Sequence, residues 1–464
     1  MTASKMSVWQ YLHDVQGGSI DYSEFMLDAI DKCKRLNSHY NFFQDISQTF
    51  ATHHEEPLFG LPVSVKDNIC VRGMQSSAGS KMLEGYIPPF DATAVSRILH
   101  AGGEVLGKTN QDEFGFGTFS TNSGYGVPKN PHDPERSCGG SSGGAAGLTA
   151  AADFPHVALA ESTGGSISCP ASFCGVVGIT PTYGLVSRYG LIDYANSLDK
   201  IGTIGKTVWD AAFLLSRIAG HDHRDSTSLQ AERKDYTQAL GKDIKGVTIG
   251  VPKEYFENIN NDVEKAVWNS IHKLESLGAS WKKISLPNTK YALSAYYIIA
   301  TAEASTNLSK LCGMRYGLHM DLKGGFNEYF SRVRSEGFGE EAKRRIMLGT
   351  FARMSGYRDK YYLRALKVRT LVINDFKKAF KGCDVLAAPT MPILPPKFSE
   401  IAELTPLQNY QMDVLTVPAN LAGVPMVSVP CGFSGKLPIG MHLIADHLQE
   451  EKLLQTAHAF ERAM

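Results

Sequence analysis

One lysine and two glycine-flanked serine clusters are the residues of this chain best suited to chemistry. Lys66 follows a short apolar run, Ser141 lies in GGSSGG at 139–144, and Ser166 ends TGGS at 163–166. A serine hydroxyl is a poor nucleophile unless a neighbouring group takes its proton. A buried lysine can do this because burial lowers its pKa, and glycines let backbone N–H groups approach a substrate oxygen. Together these clusters predict a Ser-Ser-Lys hydrolytic site.

The surroundings of Lys66 distinguish it from an ordinary lysine. Most lysines are solvated on the protein surface. Lys66 instead follows the apolar residues 61–65 directly and precedes Asp67 and Asn68. Because active sites of α/β proteins lie at the carboxyl ends of buried strands, this position favours a chemical role.

Two further patterns offer alternative interpretations. Residues 102–109, GGEVLGKT, match a phosphate-binding loop, which requires a strand before it and a helix after it. Here a helical pattern precedes the loop and EVL is itself strand-like, so we expect Lys108 to be a structural or surface lysine. Residues 139–143 also fit the nucleophile elbow of α/β hydrolases, but no downstream histidine stands in a convincing setting.

Composition narrows the class of protein. The 464 residues are 43% hydrophobic, enough for a large core, and carry 47 basic against 47 acidic side chains. This balance lacks the footprint of a nucleic-acid-binding protein, so any RNA is expected to bind mainly through a partner. The eight cysteines form no C-x-x-C pair and no zinc-ligand spacing. We therefore expect no metal site and a reducing compartment.

The sequence predicts no membrane contact. No run of about 18 apolar residues is present, and the N-terminal MTASKMSVWQ resembles neither a signal peptide nor a transit peptide. We expect a cytoplasmic protein. The mitochondrial matrix is the alternative if a presequence has been removed or is atypical.

Alternation of strand-like and helical segments predicts an α/β protein. Short runs rich in Val and Ile have the composition of buried strands. They lie at 61–65, 104–107, 157–160, 176–179, 247–251, 385–388, 426–429 and 439–444. Helical patterns separate several of them, as at 91–101, 263–277 and 450–463. We therefore expect a large, mixed or parallel sheet with helices on both faces.

Three regions depart from this alternation. Residues 1–55 read as an N-terminal helical segment and 56–464 as the main domain, with 221–245 as a polar surface connection. Residues 291–381 are rich in aromatic side chains and contain a long helical pattern through 351–380. We predict that 291–381 form a helical insertion that caps the α/β body, since caps often close over substrate.

Taken together, these motifs resemble those of the amidase signature family. The resemblance extends from about residue 58 to 460 and is densest in GGSSGG, TGGSI and GVVGITPTYG at 175–184. It implies the amidase-signature fold. It also implies that Ser166 is the acyl-forming nucleophile, that Ser141, usually after a cis peptide, relays its proton, and that Lys66 is the base. The N–H groups of Thr163, Gly164, Gly165 and Ser166 are then expected to form the oxyanion hole.

Within this family the chain is most similar to the A subunits of tRNA-dependent amidotransferases. The segments that carry this similarity are 78–84, 108–114, 186–191, 343–350 and 417–423. In such subunits an arginine and an aspartate recognise the α-carboxylate and α-amino groups of glutamine. The resemblance transfers these roles to Arg345 and Asp413, and Tyr296 is a further candidate for the pocket. The other interpretation of Arg345 is a charge on a helix surface.

The chain also departs from the family pattern. Serine stands at 162 and 168, where the family usually has aspartate and arginine, and Cys138 replaces a usual proline. Loss of an acid and a base together keeps the charge neutral. We hypothesise that the two serines replace a structural ion pair.

The resemblance implies a glutaminase subunit that supplies ammonia to a partner. That partner, a B-type subunit together with a small C-type or equivalent subunit, would hold ATP, magnesium and most of the tRNA, and would amidate Glu-tRNA(Gln). This chain itself is expected to need no cofactor. Two alternatives stay open: a stand-alone amidase that releases ammonia to water, and a degenerate scaffold subunit without catalysis. The charges of Arg345 and Asp413 argue against the first, and the presence of Lys66, Ser141 and Ser166 argues against the second.

Overall fold

The computed structural model describes residues 6–51 and 57–464. Thirteen strands are found in these ranges. They are β1 (Phe43–Ile46), β2 (Pro62–Lys66), β3 (Glu104–Thr109), β4 (Lys129–Asn130), β5 (Asp133–Ser137), β6 (Val157–Ser162), β7 (Val177–Thr180), β8 (Lys200–Gly205), β9 (Thr248–Pro252), β10 (Ser280–Ile284), β11 (Val385–Pro389), β12 (Met426–Ser434) and β13 (Leu437–Ala445). The strands predicted from the apolar runs are all confirmed.

Eleven of these strands form one mixed sheet in the order β1-β3-β2-β6-β8-β7-β12-β13-β11-β9-β10. Strand β2 runs parallel to both β3 and β6, so the carboxyl ends of β2 and β6 meet at one edge. Lys66 ends β2, and the TGGS motif follows β6. The sheet therefore brings the lysine and the second serine cluster to the same place.

Several strands have no continuous apolar run in the sequence, for identifiable reasons. β8 lies in the middle of the sheet, but two glycines interrupt its apolar pattern. A Cβ atom at Gly202 would lie 2.2 Å from the carbonyl oxygen of Ile179, so close packing requires glycine there. β10 carries polar and charged residues because it forms the edge of the sheet.

Helices cover both faces of the sheet, as predicted. The helices are α1 (Val8–Gln16), α2 (Tyr22–Tyr40), α3 (Thr93–His100), α4 (Gly143–Ala151), α5 (Ser168–Cys174), α6 (Val208–Ile218), α7 (Asn261–Ser276), α8 (Thr289–Asn307), α9 (Phe326–Gly337), α10 (Glu340–Arg353), α11 (Arg364–Ala379), α12 (Phe398–Ala402), α13 (Pro406–Gln411), α14 (Val417–Ala422) and α15 (Glu450–Glu461). One face of the sheet packs against α3, α6, α7 and α15, and the other against α4 and α5. Among the described residues, no helix is long and apolar enough to cross a lipid bilayer.

The N-terminal segment contributes more than helices. α1 and α2 pack through their buried residues, but β1 then pairs with β3 in the main sheet. The predicted boundary at residues 55–56 falls within 52–56, which are outside the described residues. Residues 221–245 form a connection with one short 3₁₀ turn, yet Asp222 is buried and accepts hydrogen bonds from Thr93 and Ser187. The connection is therefore anchored to the body.

The region from α8 to α11 is helical, but the single long helix expected through 351–380 is wrong. α10 ends at Arg353, and Gly356 has a φ of 83°. A short π-helical stretch, Asp359–Leu363, then leads into α11. Glycine at a left-handed position breaks the pattern because a right-handed helix cannot continue through it. Helices α8, α10, α11 and α14 pack together around a shared apolar core.

Candidate active site

Lys66 and Ser141 form the centre of the candidate site. Nζ of Lys66 lies 2.7 Å from Oγ of Ser141, and both side chains are fully buried. Burial lowers the pKa of Lys66 below its ordinary value. The partner of Ser141 is thus a lysine rather than a histidine, which excludes the nucleophile-elbow interpretation of this motif.

The GGSSGG turn fixes the backbone around Ser141. Gly139 has a φ of 79°, and the Gly140–Ser141 peptide bond is cis. The N–H of Gly140 donates to the carbonyl of Thr118 at 2.7 Å. A Cβ atom at Gly140 would lie 2.3 Å from a carboxylate oxygen of Asp112, so only glycine fits this packing.

Ser166 lies beside the same turn, at the start of the bend that leads to α5. The N–H of Ser142 donates to the carbonyl of Ser166 at 3.2 Å. The Ser166 hydroxyl is hydrogen-bonded to none of the described residues. The N–H groups of Gly164, Gly165 and Ser166 are likewise unused by hydrogen bonds within the described ranges. Buried N–H groups seldom lack partners, so this cluster is suited to bind a substrate oxygen.

The two glycines of TGGS make room for other site residues. A Cβ atom at Gly164 would lie 2.8 Å from the Tyr296 hydroxyl, and one at Gly165 would lie 2.4 Å from Oγ1 of Thr416. The carbonyl of Gly164 accepts a hydrogen bond from the Asn420 side chain. Tyr296 therefore lies against the TGGS segment at 163–166.

Glu161 provides Lys66 with a carboxylate partner that was not predicted from the sequence. Nζ of Lys66 lies 3.0 Å from Oε2 of Glu161 and 3.0 Å from its carbonyl oxygen. The same carboxylate accepts from Nδ2 of Asn68 at 3.1 Å and Oγ1 of Thr163 at 2.8 Å. Its position near the end of β6, directly after an apolar run, is the signal that also pointed to Lys66.

Arg345 is buried, so it is not a helix-surface charge. Its side chain is 3% exposed, whereas its neighbour Arg344 is 40% exposed. The guanidinium donates to Oε1 of Glu341 at 2.7 Å and to the Tyr194 hydroxyl at 2.6 Å. Four aromatic rings surround the guanidinium at 5.1 to 5.6 Å. They belong to Phe116, Tyr194, Tyr297 and Tyr410.

Asp413 is also buried, and it shares a neighbour, Tyr297, with Arg345. Its carboxylate accepts from Oγ1 of Thr118 at 3.0 and 3.1 Å and from the Tyr297 hydroxyl at 2.7 Å. Burial raises the pKa of Asp413 above its ordinary value, and the hydrogen bonds from Tyr297 and Thr118 act in the opposite direction. Neither Tyr297 nor Thr118 was identified from the sequence.

Thr118 connects the region of Arg345 and Asp413 to the Ser-Ser-Lys group. Thr118 contacts the GGSSGG turn through its carbonyl and Asp413 through its hydroxyl. A cavity of about 320 Å³ opens here, lined in part by Thr118, Glu341, Arg345 and Tyr410. The arrangement brings together two serine hydroxyls, a lysine amine, N–H groups that no hydrogen bond of the described residues uses, the Arg345 guanidinium and the Asp413 carboxylate. This set suits hydrolysis of an amide whose substrate carries both an ammonium and a carboxylate.

Lys108 has a structural role, whereas the hydroxyls of Ser162 and Ser168 make no hydrogen bond to the described residues. Lys108 lies within β3, fully buried, and donates to the carbonyls of Asp67 and Ile69 and to Ser76. Lys108 is therefore a structural lysine, and the segment that matches a phosphate-binding loop in sequence forms strand β3 instead. The hydroxyls of Ser162 and Ser168 are buried and have no hydrogen-bond partner among the described residues. In those same ranges, no group of three His, Cys, Asp or Glu residues could hold a metal ion.

Comparison with known proteins places the chain in a family. The Amidase family model matches residues 26–454. A relative from Methanosarcina mazei, the A subunit of glutamyl-tRNA(Gln) amidotransferase, is 50% identical, and the match covers 100% of this chain and 97% of that one. Its counterpart of the same name from Halothermothrix orenii is 51% identical over 88% of this chain and 85% of its own.

One of the similar solved structures carries the same name as these two relatives. The crystal structure of the A subunit of glutamyl-tRNA(Gln) amidotransferase from Thermotoga maritima has a TM-score of 0.83 and 38% identity, and the match covers 95% of this chain and 91% of that one. The chain therefore belongs to the amidase family. The resemblance inferred from its motifs is confirmed, as is the expected fold class.

Proposed function

We propose that this chain is the glutaminase subunit of a tRNA-dependent amidotransferase, with Ser166 as nucleophile, Ser141 as proton relay and Lys66 as base. The observation that carries the proposal is the contact between Lys66 and Ser141, close to a cavity lined by Arg345 and by Thr118, whose hydroxyl donates to Asp413. The near full-length similarity to relatives named as A subunits supports it.

Catalysis begins with glutamine bound by its charges. Arg345 receives the α-carboxylate and Asp413 the α-ammonium group, which directs the side-chain amide towards Ser166. The Tyr296 hydroxyl lies against Gly164, which would bring Tyr296 close to the bound amide. Simple amides lack both charges, so this pair favours glutamine over them.

The proton relay then activates the nucleophile. The hydrogen of Ser166 passes to Ser141 while the hydrogen of Ser141 passes to the neutral amine of Lys66. Oγ of Ser166 forms a bond to the amide carbon, and the resulting oxyanion is held by N–H groups of Thr163, Gly164, Gly165 and Ser166. Loss of one such donor typically costs about 3 kcal/mol of transition-state stabilisation.

Release of ammonia reverses the relay. The C–N bond breaks, and the leaving nitrogen takes a proton from Ser141, which is resupplied by Lys66. A glutamyl-Ser166 ester remains. Water hydrolyses this ester through the same relay and releases glutamate, so the enzyme returns to its starting protonation state.

The ammonia is used by partner subunits. A B-type subunit with ATP and magnesium activates Glu-tRNA(Gln) and amidates it, and a small C-type or equivalent subunit completes the complex. The equal numbers of acidic and basic side chains, 47 each, support a chain that leaves most of the tRNA contact to its partner. We place the complex in the cytoplasm, which the eight free cysteines support.

The test is a Ser166→Ala variant assembled with its co-purified partners. We expect loss of glutaminase activity and of glutamine-driven tRNA amidation, while amidation driven by added ammonium chloride is retained. Glutamine-driven amidation at the parent rate would contradict the proposal and favour the scaffold alternative. Full glutaminase activity of the isolated chain, with no tRNA amidation in any co-purified complex, would favour the stand-alone amidase.

A further inference from the structure

The side chain of Glu161 lies between the catalytic lysine and a second buried acid. Its carboxylate receives three donors: Nζ of Lys66, Nδ2 of Asn68 and Oγ1 of Thr163. None of the proposed catalytic steps uses it. A carboxylate buried this completely must be paired or hydrogen-bonded to persist, and these three contacts satisfy that requirement.

Thr163 connects Glu161 to Asp199. Oγ1 of Thr163 lies 2.8 Å from Oε1 of Glu161 and 2.8 Å from Oδ1 of Asp199. A threonine hydroxyl has a single hydrogen, so both contacts are hydrogen bonds only if one of the two acids carries a proton.

Asp199 is the acid that is better suited to carry this proton. Burial raises its pKa well above the ordinary value, and the charge of Glu161 raises it further. Neutral Asp199 donates to Thr163 through Oδ1, while Oδ2 still accepts from the N–H groups of Tyr194 and Ala195. Thr163 then donates to Glu161, so the charge remains on the carboxylate that touches Lys66.

Other charged groups face this cluster from neighbouring elements. Against the larger effect of burial, the charge of Asp112, in the loop after β3, raises the pKa of Lys66, and the charge of Arg345 lowers the pKa of Asp112. Against the same effect of burial, the charge of Arg188 lowers the pKa of Asp199. Of these groups, the carboxylate of Glu161 is the one in direct contact with the amine, at 3.0 Å.

We propose that Glu161 is a positioning residue of the amidase reaction: its carboxylate holds the Lys66 amine against Ser141 and stabilises the ammonium form, and thereby sets the lowest pH at which the enzyme works. The inference rests on the proposed roles of Lys66, Ser141 and Ser166. The proton leaves the ammonium group to water before the reaction starts, so the step needs no further reactant. A carboxylate neighbour makes Lys66 a stronger base, which favours transfer from Ser141.

Glu161→Gln tests this inference because glutamine keeps the shape and removes the charge. Its amide oxygen can accept from Lys66 and Asn68, and its NH₂ group can donate to Thr163. The pH dependence of kcat/KM is measured for glutamine hydrolysis by the assembled complex. We expect the acidic limb to move to lower pH by about one unit, with kcat on the plateau reduced several-fold. Asp199→Asn is expected to move the limb less, because Thr163 separates Asp199 from Lys66.

Controls separate this effect from a structural one. Glu450→Gln removes another buried carboxylate, one that accepts from the N–H of Thr182, and is expected to leave the limb in place. If Glu161→Gln does not fold, Glu161→Asp retains the charge, and we expect its limb to stay at the parent pH while kcat falls. A folded Glu161→Gln enzyme with the parent limb, or an Asp variant whose limb moves down by about one unit, overturns the inference.

Ser166→Ala, measured in parallel, separates this inference from the proposed function. If that variant retains glutaminase activity, the proposed function itself fails. If it is inactive and Glu161→Gln keeps the parent limb, the inference about Glu161 alone fails.

Discussion

Nζ of Lys66 lies 2.7 Å from Oγ of Ser141, although 75 positions separate the two residues in the chain. The contact forms because Lys66 ends a central strand and Ser141 lies in a turn that packs over the same sheet edge. The amine is fully buried, so its pKa is lowered, and the hydroxyl beside it is its natural proton donor.

Replacement of Lys66 should suppress both the acylation of Ser166 by glutamine and its covalent labelling by a glutamine analogue. For Lys66→Ala we expect kcat to fall on the order of 10³-fold, the usual contribution of a general base. Covalent labelling of Ser166 by an electrophilic glutamine analogue near neutral pH should be lost as well. Mass spectrometry of the labelled protein measures this directly, and thermal unfolding verifies the fold. Undiminished labelling in the variant would refute the role of Lys66.

Arg345 should control the affinity for glutamine. For Arg345→Gln we expect the KM for glutamine to rise by about 100-fold, or about 3 kcal/mol, because a charged hydrogen bond to the substrate carboxylate is lost. Hydrolysis of a small uncharged amide should change little. Lys343→Gln, which removes a neighbouring cation of the same helix, is the matched control. Equal KM increases in the two variants would indicate a non-specific charge effect.

The predictable part of the fold is the part where sequence and burial coincide. Continuous apolar runs predicted the central strands, since buried strands lack polar residues. β8 was missed because its two glycines resemble turn signals, whereas close contact requires them: Gly202 packs against β7 and Gly205 against α6. The helix predicted through 351–380 was too long because the left-handed conformation of Gly356 leaves no clear mark in the pattern of apolar residues.

The site was predictable where the signal is local. Lys66, Ser141 and Ser166 stand in short motifs, and Arg345 and Asp413 were placed by resemblance to a family. Their partners are different. Tyr297 donates to Asp413 across 116 positions, and Glu161 meets Lys66 across 95. Such pairings depend on which strands and helices become neighbours, and no spacing in one sequence reveals them.

The hydroxyl of Tyr297 should set the pH range of glutamine binding. In the proposed function Asp413 binds the substrate ammonium group as an anion; burial raises its pKa, while the Tyr297 hydrogen bond lowers it. Tyr297→Phe therefore raises the pKa further, so protonation begins at higher pH. We expect the pH below which the glutamine KM increases to move upward. Tyr329→Phe, which loses a hydrogen bond to the Gly313 carbonyl, serves as control, and an unchanged KM profile for Tyr297→Phe would contradict this.

Ser162 and Ser168 offer a test of the lost ion pair. Both hydroxyls are buried without a partner among the described residues, and Lys200 lies opposite Ser162 in the ladder. Ser168→Arg buries an unpaired cation and should lower the free energy of unfolding by about 3 kcal/mol or more. Ser162→Asp should cost less, because Lys200 is near.

The double variant decides the question. If the two positions form a pair, Ser162→Asp with Ser168→Arg should be more stable than Ser168→Arg alone in chemical denaturation. Additive losses in the double variant would show that the two positions do not interact.

The proposed chemical and recognition groups come from different parts of the chain. Lys66 and Glu161 lie on the sheet, whereas Arg345 belongs to α10 and Asp413 follows α13. Changes in those helices can therefore alter which amide is accepted while the hydrolytic machinery stays intact. Such a division gives evolution a way to diversify substrates on an unchanged reaction centre.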